Sequence, residues 1–490
     1  MAWMTPGNLS AQVHETHTGL VVLLGERAYK AKKALVTEFL DFRTAQQREE
    51  ACAHEIELNS RLAPDSYLGL AHFSGVEGEP PEPVIVMRRY PDTCRLTYLV
   101  RHGTPVETHL ASIAETLASF HAGAARGDAI DACGTADAVA ARWQDNIDEL
   151  HHHAVLAPEL IDEVWRLATQ YISGRSALFS QRIADRRVVD GHADLLTDDI
   201  FCMPQGPVLL DCLEFDDRLR YVDGLDDVAF LAMDLEFLGR RDLAEFLLDH
   251  YRRAAGETAP ATLADFYIAY RAVVRAKVDC VRVAQGHPEA AADAQRHIDI
   301  ALDHLRAATV RLIMVGGGPG TGKTTLSRAL AEPLGAQVIS TDDVRRELQS
   351  ADVISGAVGE PEAGLYSAEN VAAVYDAVLQ RARHHLERGE TVILDATWRD
   401  EHQRERVRRL AGETHALVVE LSCHVPVRDA AARTVSRGPT SSDATPEIAA
   451  RLAQADDAWP QAHRIDTGGP LAESVAEAQK AVLETPAALR

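Results

Sequence analysis

Gly317-Gly318-Pro319-Gly320-Thr321-Gly322-Lys323-Thr324 has the spacing G-x-x-x-x-G-K-[ST]. Glycines at these positions let main-chain amides curl around phosphate oxygens, and the start of a following helix adds partial positive charge. Lys323 is then placed to reach the β- and γ-phosphates, and the Thr324 hydroxyl to ligate Mg²⁺. Gly317, Gly318, Gly320, Thr321, Gly322, Lys323, Thr324 and Thr325 are the expected contacts of an ATP phosphate tail. An apolar run of strand length, Val310 to Val315, precedes the loop, and Leu326, Ala329 and Leu330 follow at helical spacing. Strand, glycine loop and helix form the context that separates a phosphate loop from a glycine-rich turn with a chance lysine.

Three further groups of residues extend this chemistry. Asp342 follows a short strand pattern, Ala336 to Ser340, at the strand end where open α/β sheets place substrate. It would accept the proton of an attacking hydroxyl, and Arg345 would fix an anionic substrate group or the transferring phosphate; the alternative is a helix-capping aspartate and a solvated arginine. Thr391 to Asp395 reads as a buried strand ending in an acid, and Asp395 is the expected Mg²⁺ partner of Thr324. Arg433 and Arg437 share one helix face before a Gly-Pro-Thr-Ser-Ser-Asp loop. They would neutralise a transferring phosphoryl group, or else pair with acidic neighbours at the surface.

The N-terminal half carries a different set. Gly19 to Leu24 and Ala28 to Lys33 read as two strands around a Gly25-Glu26 turn, so Lys30 and Lys32 project from one face. A helical pattern from Thr44 to Leu62 carries Glu55. Farther on, His192, Asp194 and Asp199 lie on a loop, followed by a β-rich run ending in Asp211. Phosphoryl transfer needs one carboxylate to orient the attacking hydroxyl and hard oxygen ligands for Mg²⁺. Asp194 suits the first role, and Asp199 and Asp211 the second; a solvated acidic loop is the plain alternative.

Residues 1 to about 305 resemble the aminoglycoside phosphotransferase family, relatives of the protein kinases. The match is to H-G-D-x-x-x-x-N and a later metal-binding Asp through His192, Asp194 and Asp211, with Arg220, Asp223 and Asp227 beyond. Ala193 replaces the glycine, and Asp199 replaces the asparagine. The resemblance implies that Lys30 or Lys32 binds the α/β-phosphates with Glu55 as its ion-pair partner, and that backbone after Met87 holds adenine. Residues 308 to 470 resemble the small phosphate-loop kinases that include the polynucleotide kinase 5′-kinase domain, gluconate kinase, chloramphenicol phosphotransferase and zeta toxins. Asp342 and Arg345 match their D-x-x-R motif, and Arg433 and Arg437 look like their lid arginines.

The expected architecture is therefore α+β followed by α/β: a two-lobed protein-kinase-like domain over 1–307 and a three-layer α/β/α parallel sheet over 308–490. No long linker separates them, so the halves are expected to touch and the two sites to be open to coupling. The chain has 490 residues, 46% of them hydrophobic, and a formal net charge of −24. So acidic a surface disfavours nucleic-acid backbones and anionic membranes. No apolar stretch has the length of a membrane span and no secretory leader is evident, so a cytoplasmic location is expected. The seven cysteines lack metal or disulfide spacing. His151-His152-His153 reads as a solvated helix face. The function expected is transfer of the ATP γ-phosphoryl to a hydroxyl of a small molecule by the C-terminal half, and by the N-terminal half as well. The alternatives are an N-terminal half that only senses a ligand, or a toxin-like kinase of sugar nucleotides.

Overall fold

A computed structural model describes residues 11–15, 19–36, 41–74, 81–356, 364–436 and 459–485. The chain divides into two compact units, one formed by 1–164, 180–259 and 267–304, the other by 165–179, 260–266 and 305–490. The inclusion of 165–179 and 260–266 in the second unit is invisible to a reading of chain order.

In the first unit, strands β1 (Gln12–Glu15), β2 (Gly19–Leu24), β3 (Arg27–Lys32), β4 (Tyr67–Phe73) and β5 (Glu82–Arg88) form an antiparallel sheet in the order β1-β2-β3-β5-β4. The helix Ala45–Asn59 packs on β4 and β5. Thr44 starts it: its hydroxyl accepts from the Gln47 amide while the Gln47 side chain accepts from the Thr44 amide, which satisfies two end groups at once. Cys52, Glu55 and Leu58, at three-residue spacing, are its buried face. Cys52 joins a core with Ala63, Tyr67, Ile85, Phe201 and Leu210.

The remainder of this unit is mainly helical, as expected, and is interrupted by two short ribbons. These pair β6 (Val188–Asp190) with β9 (Tyr221–Asp223), and β7 (Ile200–Met203) with β8 (Gly206–Leu209). The strand expected to run into Asp211 stops at Leu209. Asp211 has φ 64°, a left-handed conformation that cannot continue a strand. The helix Gly224–Phe237 is buried on all sides from Gly224 to Met233, so its polar residues must find partners inside the unit.

In the second unit, β10 (Arg311–Gly316), β11 (Gln337–Ser340), β12 (Val392–Asp395), β13 (Leu417–His424) and β14 (His463–Asp466) form a parallel sheet in the order β11-β12-β10-β13-β14. Leu312, Ile313, Met314 and Val315 are all fully buried, as a central parallel strand requires. Ile313, Val315, Leu326, Leu330, Ile393, Val419 and Leu421 belong to one core, closed by Ala478 and Val482 of the helix Leu471–Glu484. Ser367 caps the helix Ala368–Glu387 by accepting from the Asn370 amide. Among the described residues no helix is long and apolar enough to cross a membrane.

Candidate functional site

The glycine loop leaves the end of the central strand β10 and enters the helix Lys323–Leu334 at Gly322. Gly317, Gly320 and Gly322 have φ of 146°, 79° and 87°. A Cβ on Gly317 would stand 2.5 Å from Thr321 Oγ1 and 3.0 Å from the Cys423 carbonyl, so the turn has room only for glycine. The Thr321 hydroxyl closes the loop on Gly318 O at 2.9 Å. Thr467, just beyond β14, clamps it from outside: its hydroxyl stands 2.5 Å from Thr321 O and 3.1 Å from His424 O. Arg433 donates to Thr467 O at 2.9 Å, and its guanidinium lies 3.8 Å from where a Cβ of Gly322 would be. Arg433 is thus brought to the loop; Arg437 lies outside the described residues.

Lys323 is buried, with 9% exposure, and among the described residues forms no ion pair. Lys323 is near enough to Asp395 for charge attraction, and the Thr324 hydroxyl stands close to the same carboxylate. Burial nevertheless holds the Asp395 carboxyl above its ordinary value, and Asp342 and Asp343 push the same way. Its Oδ1 is buried without a hydrogen-bond partner. A buried ammonium without an ion pair among the described residues and a buried carboxylate oxygen without a donor suit a phosphate and a hydrated Mg²⁺.

The register Ser340↔Asp395 brings the end of β11 beside that carboxylate. Ser340 caps the helix Thr341–Ser350 through the Asp342 amide, so the capping role considered for Asp342 belongs to Ser340. The Asp342 side chain instead accepts from Arg345 Nη1 at 2.8 Å. Arg345 is buried, stacks over Tyr366 at 4.7 Å and keeps its Nε without a partner. Tyr375 lies within reach of the charges of both Arg345 and Asp342 and packs on Trp398 at 5.5 Å between ring centroids, and a Cβ on Gly316 would meet the Trp398 ring at 3.2 Å. None of Thr467, Tyr366, Tyr375 and Trp398 was expected from sequence; Trp398, at φ 52°, follows the strand that ends in Asp395, which is the one local signal.

In the first unit both candidate lysines reach Glu55, which is fully buried. Lys30 Nζ lies 2.8 Å from Glu55 Oε1, and Lys32 Nζ 2.5 Å from Oε2. Lys30 also contacts Asp211 at 2.6 Å, whereas Lys32 contacts Glu214 at 2.6 Å. Burial opposes the Lys30 charge, yet Asp211, Glu55 and Glu214 together hold the ammonium well above its usual range. In return Lys30 lowers the Asp211 carboxyl. Lys30, and not Lys32, is the lysine in contact with Asp211.

The loop bearing Asp194 is hung from the buried helix Gly224–Phe237. Asp227 accepts from the amides of His192 at 2.8 Å and Ala193 at 2.7 Å, and Asp234 accepts from the Thr197 amide at 2.8 Å and hydroxyl at 2.6 Å. Gly191 allows this approach, since a Cβ there would stand 2.6 Å from Asp227 Oδ2. His192 donates through Nε2 to Leu210 O at 3.1 Å and accepts from the Asp194 amide at Nδ1, and burial keeps the ring neutral. Ala193 occupies a glycine-like position, φ 66°.

Burial pushes the Asp194 carboxyl up to about 7, with Arg275 and Arg271 opposing and Asp211 reinforcing. Asp199 is raised well above its ordinary value by burial and by Asp211 and Asp194. Among the described residues no three His, Cys, Asp or Glu side chains form a metal cage. A phosphate-bound Mg²⁺ needs only one or two carboxylates, and the mutual repulsion of Asp199 and Asp211 is what a divalent cation relieves.

Residues 312–458 match the family model described as an AAA domain. The uncharacterized protein Rv2004c of Mycobacterium tuberculosis is 57% identical over 468 residues, covering 95% of this chain and 94% of its own. Among solved structures, a gluconokinase from Sinorhizobium meliloti is 20% identical over 35% of this chain and 91% of its own, with a TM-score of 0.26. A choline/ethanolamine kinase family protein from Mesorhizobium loti is 15% identical over 60% of this chain and 92% of its own, with a TM-score of 0.36.

Proposed function

The chain belongs to one family with its uncharacterized Mycobacterium tuberculosis relative, and we propose that it is an ATP-dependent phosphotransferase acting on a small molecule that bears a hydroxyl. The observation that carries this reading is the buried Lys323 ammonium, which has no ion pair among the described residues and lies beside an Asp395 carboxylate that also senses Asp342.

In this reading the loop amides and Lys323 hold the β- and γ-phosphates, and Arg433 closes over the loop. Thr324 and Asp395 would hold Mg²⁺, which would supply neutralisation of the charge developing on the phosphates. Asp342 accepts the proton of the acceptor hydroxyl as the oxygen attacks the γ-phosphorus, and the bond to the β-phosphate oxygen breaks. Arg345, fixed on Asp342 and Tyr366, orients the carboxylate and offers its remaining donors to the acceptor. The site demands in-line placement more than covalent chemistry, and a rigid sheet edge supplies it.

The first unit supports a second nucleotide site, with Lys30 and Glu55 at the phosphates, Asp211 and Asp199 at the metal and Asp194 as base. The Lys30 contacts to Glu55 and Asp211 favour a competent arrangement over a ligand sensor. The acidic chain favours small acceptors over polynucleotides. Incubation with labelled ATP and a metabolite extract, in an Asp194→Asn background that silences the first unit, tests the reading: labelled product is expected with Lys323 intact and not from Lys323→Ala, and product undiminished in both Lys323→Ala and Asp342→Asn removes the second unit as its source.

A further inference from the structure

The first unit contains a cavity of about 470 Å³ that none of Lys30, Glu55, Asp194, Asp199 and Asp211 lines. Four arginines line it, Arg126, Arg182, Arg186 and Arg187, together with His121 and two acids, Asp185 and Glu257. Their charges do not cancel. Arg182 is fully matched: it holds Asp223 at 2.6 and 2.7 Å and Glu257 at 2.6 and 2.7 Å. Beyond Arg182, Glu257 accepts from the Ala259 amide at 2.8 Å and has only a distant charge contact with Arg187, at 4.0 Å. Arg187 spends its donors on Ala255 O and Gly256 O, at 3.0 and 2.9 Å. Asp185 is held by Gln181 at 2.8 Å.

Arg126 and Arg186 form no ion pair among the described residues. Arg126 donates only to carbonyls, those of His121, Ala122, Ala124 and Arg186, which fixes its guanidinium without neutralising it. Burial, then repulsion from Arg186 and Arg187, holds its affinity for a proton below the ordinary arginine value. Arg186 is kept at φ 56°, an unfavourable backbone for a long side chain, with its carbonyl accepting from Arg126 at 2.9 Å. Three guanidinium groups thus meet without a matching set of acids, in a chain whose formal net charge is −24.

We propose that this cavity binds a small phosphate anion, either inorganic phosphate or the phosphoryl group of a monoester. Arg186 keeps a planar fork that matches the oxygen geometry of phosphate, Arg126 and Arg187 add positive charge while their donors hold carbonyls, and the volume suits a small ligand. Occupancy would be sensed at the Asp194 loop. His121, on the cavity wall, contacts Tyr251 OH at 2.9 Å and Asp227 at 3.0 Å, and Asp227 holds the His192 and Ala193 amides.

The test is calorimetric titration of the full chain with inorganic phosphate and, separately, a hexose 6-phosphate, at constant ionic strength. Lys323→Ala serves as background so that the glycine loop does not contribute. Binding is expected to persist there and to weaken about tenfold or more when Arg186→Gly and Arg187→Gln are added, as for loss of charge-assisted contacts. Glycine keeps the left-handed backbone at 186, and Arg186→Gly alone serves if the pair lowers the melting temperature. Tighter binding of the hexose phosphate assigns a metabolite, and tighter binding of the free anion assigns phosphate itself. Absence of binding in the Lys323→Ala chain, or binding undiminished by the arginine changes, overturns the site. Amide exchange at His192 and Ala193 is expected to slow with phosphate; unchanged exchange at saturation overturns the link through His121.

Discussion

The Arg345 guanidinium donates to the Asp342 carboxylate at 2.8 Å, from one helical turn away on the same helix face. Arg345 is buried and backed by the Tyr366 ring, so the contact is held by packing as well as charge. Asp342→Asn keeps the shape but removes the base. Phosphoryl transfer should fall by about 10²–10⁴-fold while nucleotide affinity changes little. Parallel transfer assays and nucleotide titrations separate the two effects. Arg345→Lys loses the planar fork and should mainly raise KM for the acceptor.

Gly317→Ala should act in the opposite way. Its Cβ would press on Thr321 Oγ1 and the Cys423 carbonyl, at a φ of 146° that side chains avoid. Nucleotide affinity should collapse, with a stability cost of about 1–3 kcal/mol. Equilibrium binding of labelled ATP and a melting curve check both parts; unimpaired binding would show that the loop has another geometry.

Thr467→Val removes the hydroxyl shared between Thr321 O and His424 O. The Thr321 carbonyl then loses its donor at the edge of the phosphate loop, while His424 O keeps the Thr467 amide at 3.0 Å, at a cost of about 1–3 kcal/mol. ATP affinity should drop about tenfold, while Thr467→Ser should restore most of it. Failure of the serine to rescue would argue against a clamp.

Asp194, pushed up to about 7 by burial, makes a pH prediction. The folded chain keeps a proton that the unfolded chain releases near 4, so between about 4 and about 7 the folded state binds more protons. Stability therefore falls as pH rises through that window, and Asp194→Asn should flatten the fall. Transfer by the first unit requires the ionised form and should rise with pH through about 7, with Mg²⁺·ATP moving the midpoint down. Melting temperature and rate against pH, with and without Mg²⁺·ATP, check the sign.

Glu55 balances two ammonium groups from inside the first unit. Glu55→Gln leaves Lys32, whose side chain is 1% exposed, with Glu214 alone. Breaking such a buried set by removing one partner costs about 3–5 kcal/mol. The melting transition of the first unit should shift down, and a variant that melts like the wild type would contradict the ion-pair assignment.

What could be read from the sequence follows from how local each feature is. The glycine loop with its flanking strand and helix is a contiguous pattern, and it appears in place. The placement of Lys30 and Lys32 on one strand face was legible from their spacing, but not which one meets Asp211. That depends on residues 181 positions apart. Thr467 is 146 positions from the loop it clamps, and no periodicity announces such a pair. The end of β8 before Asp211 is not legible, because the apolar run Val208-Leu209-Leu210 carries no sign of a left-handed residue after it. Asp234 looks like a packing-adjacent polar residue in sequence, yet in a helix buried all round it anchors the Thr197 backbone.

The most direct measurement follows γ-labelled phosphate from ATP into small molecules, using full-length wild type, Lys323→Ala and Asp342→Asn side by side with Asp194→Asn as the background for all three. One labelled acceptor is expected from the chain with an intact second unit and loss of label in both variants, with ATP still bound by Asp342→Asn. Equal labelling by all three chains would contradict it.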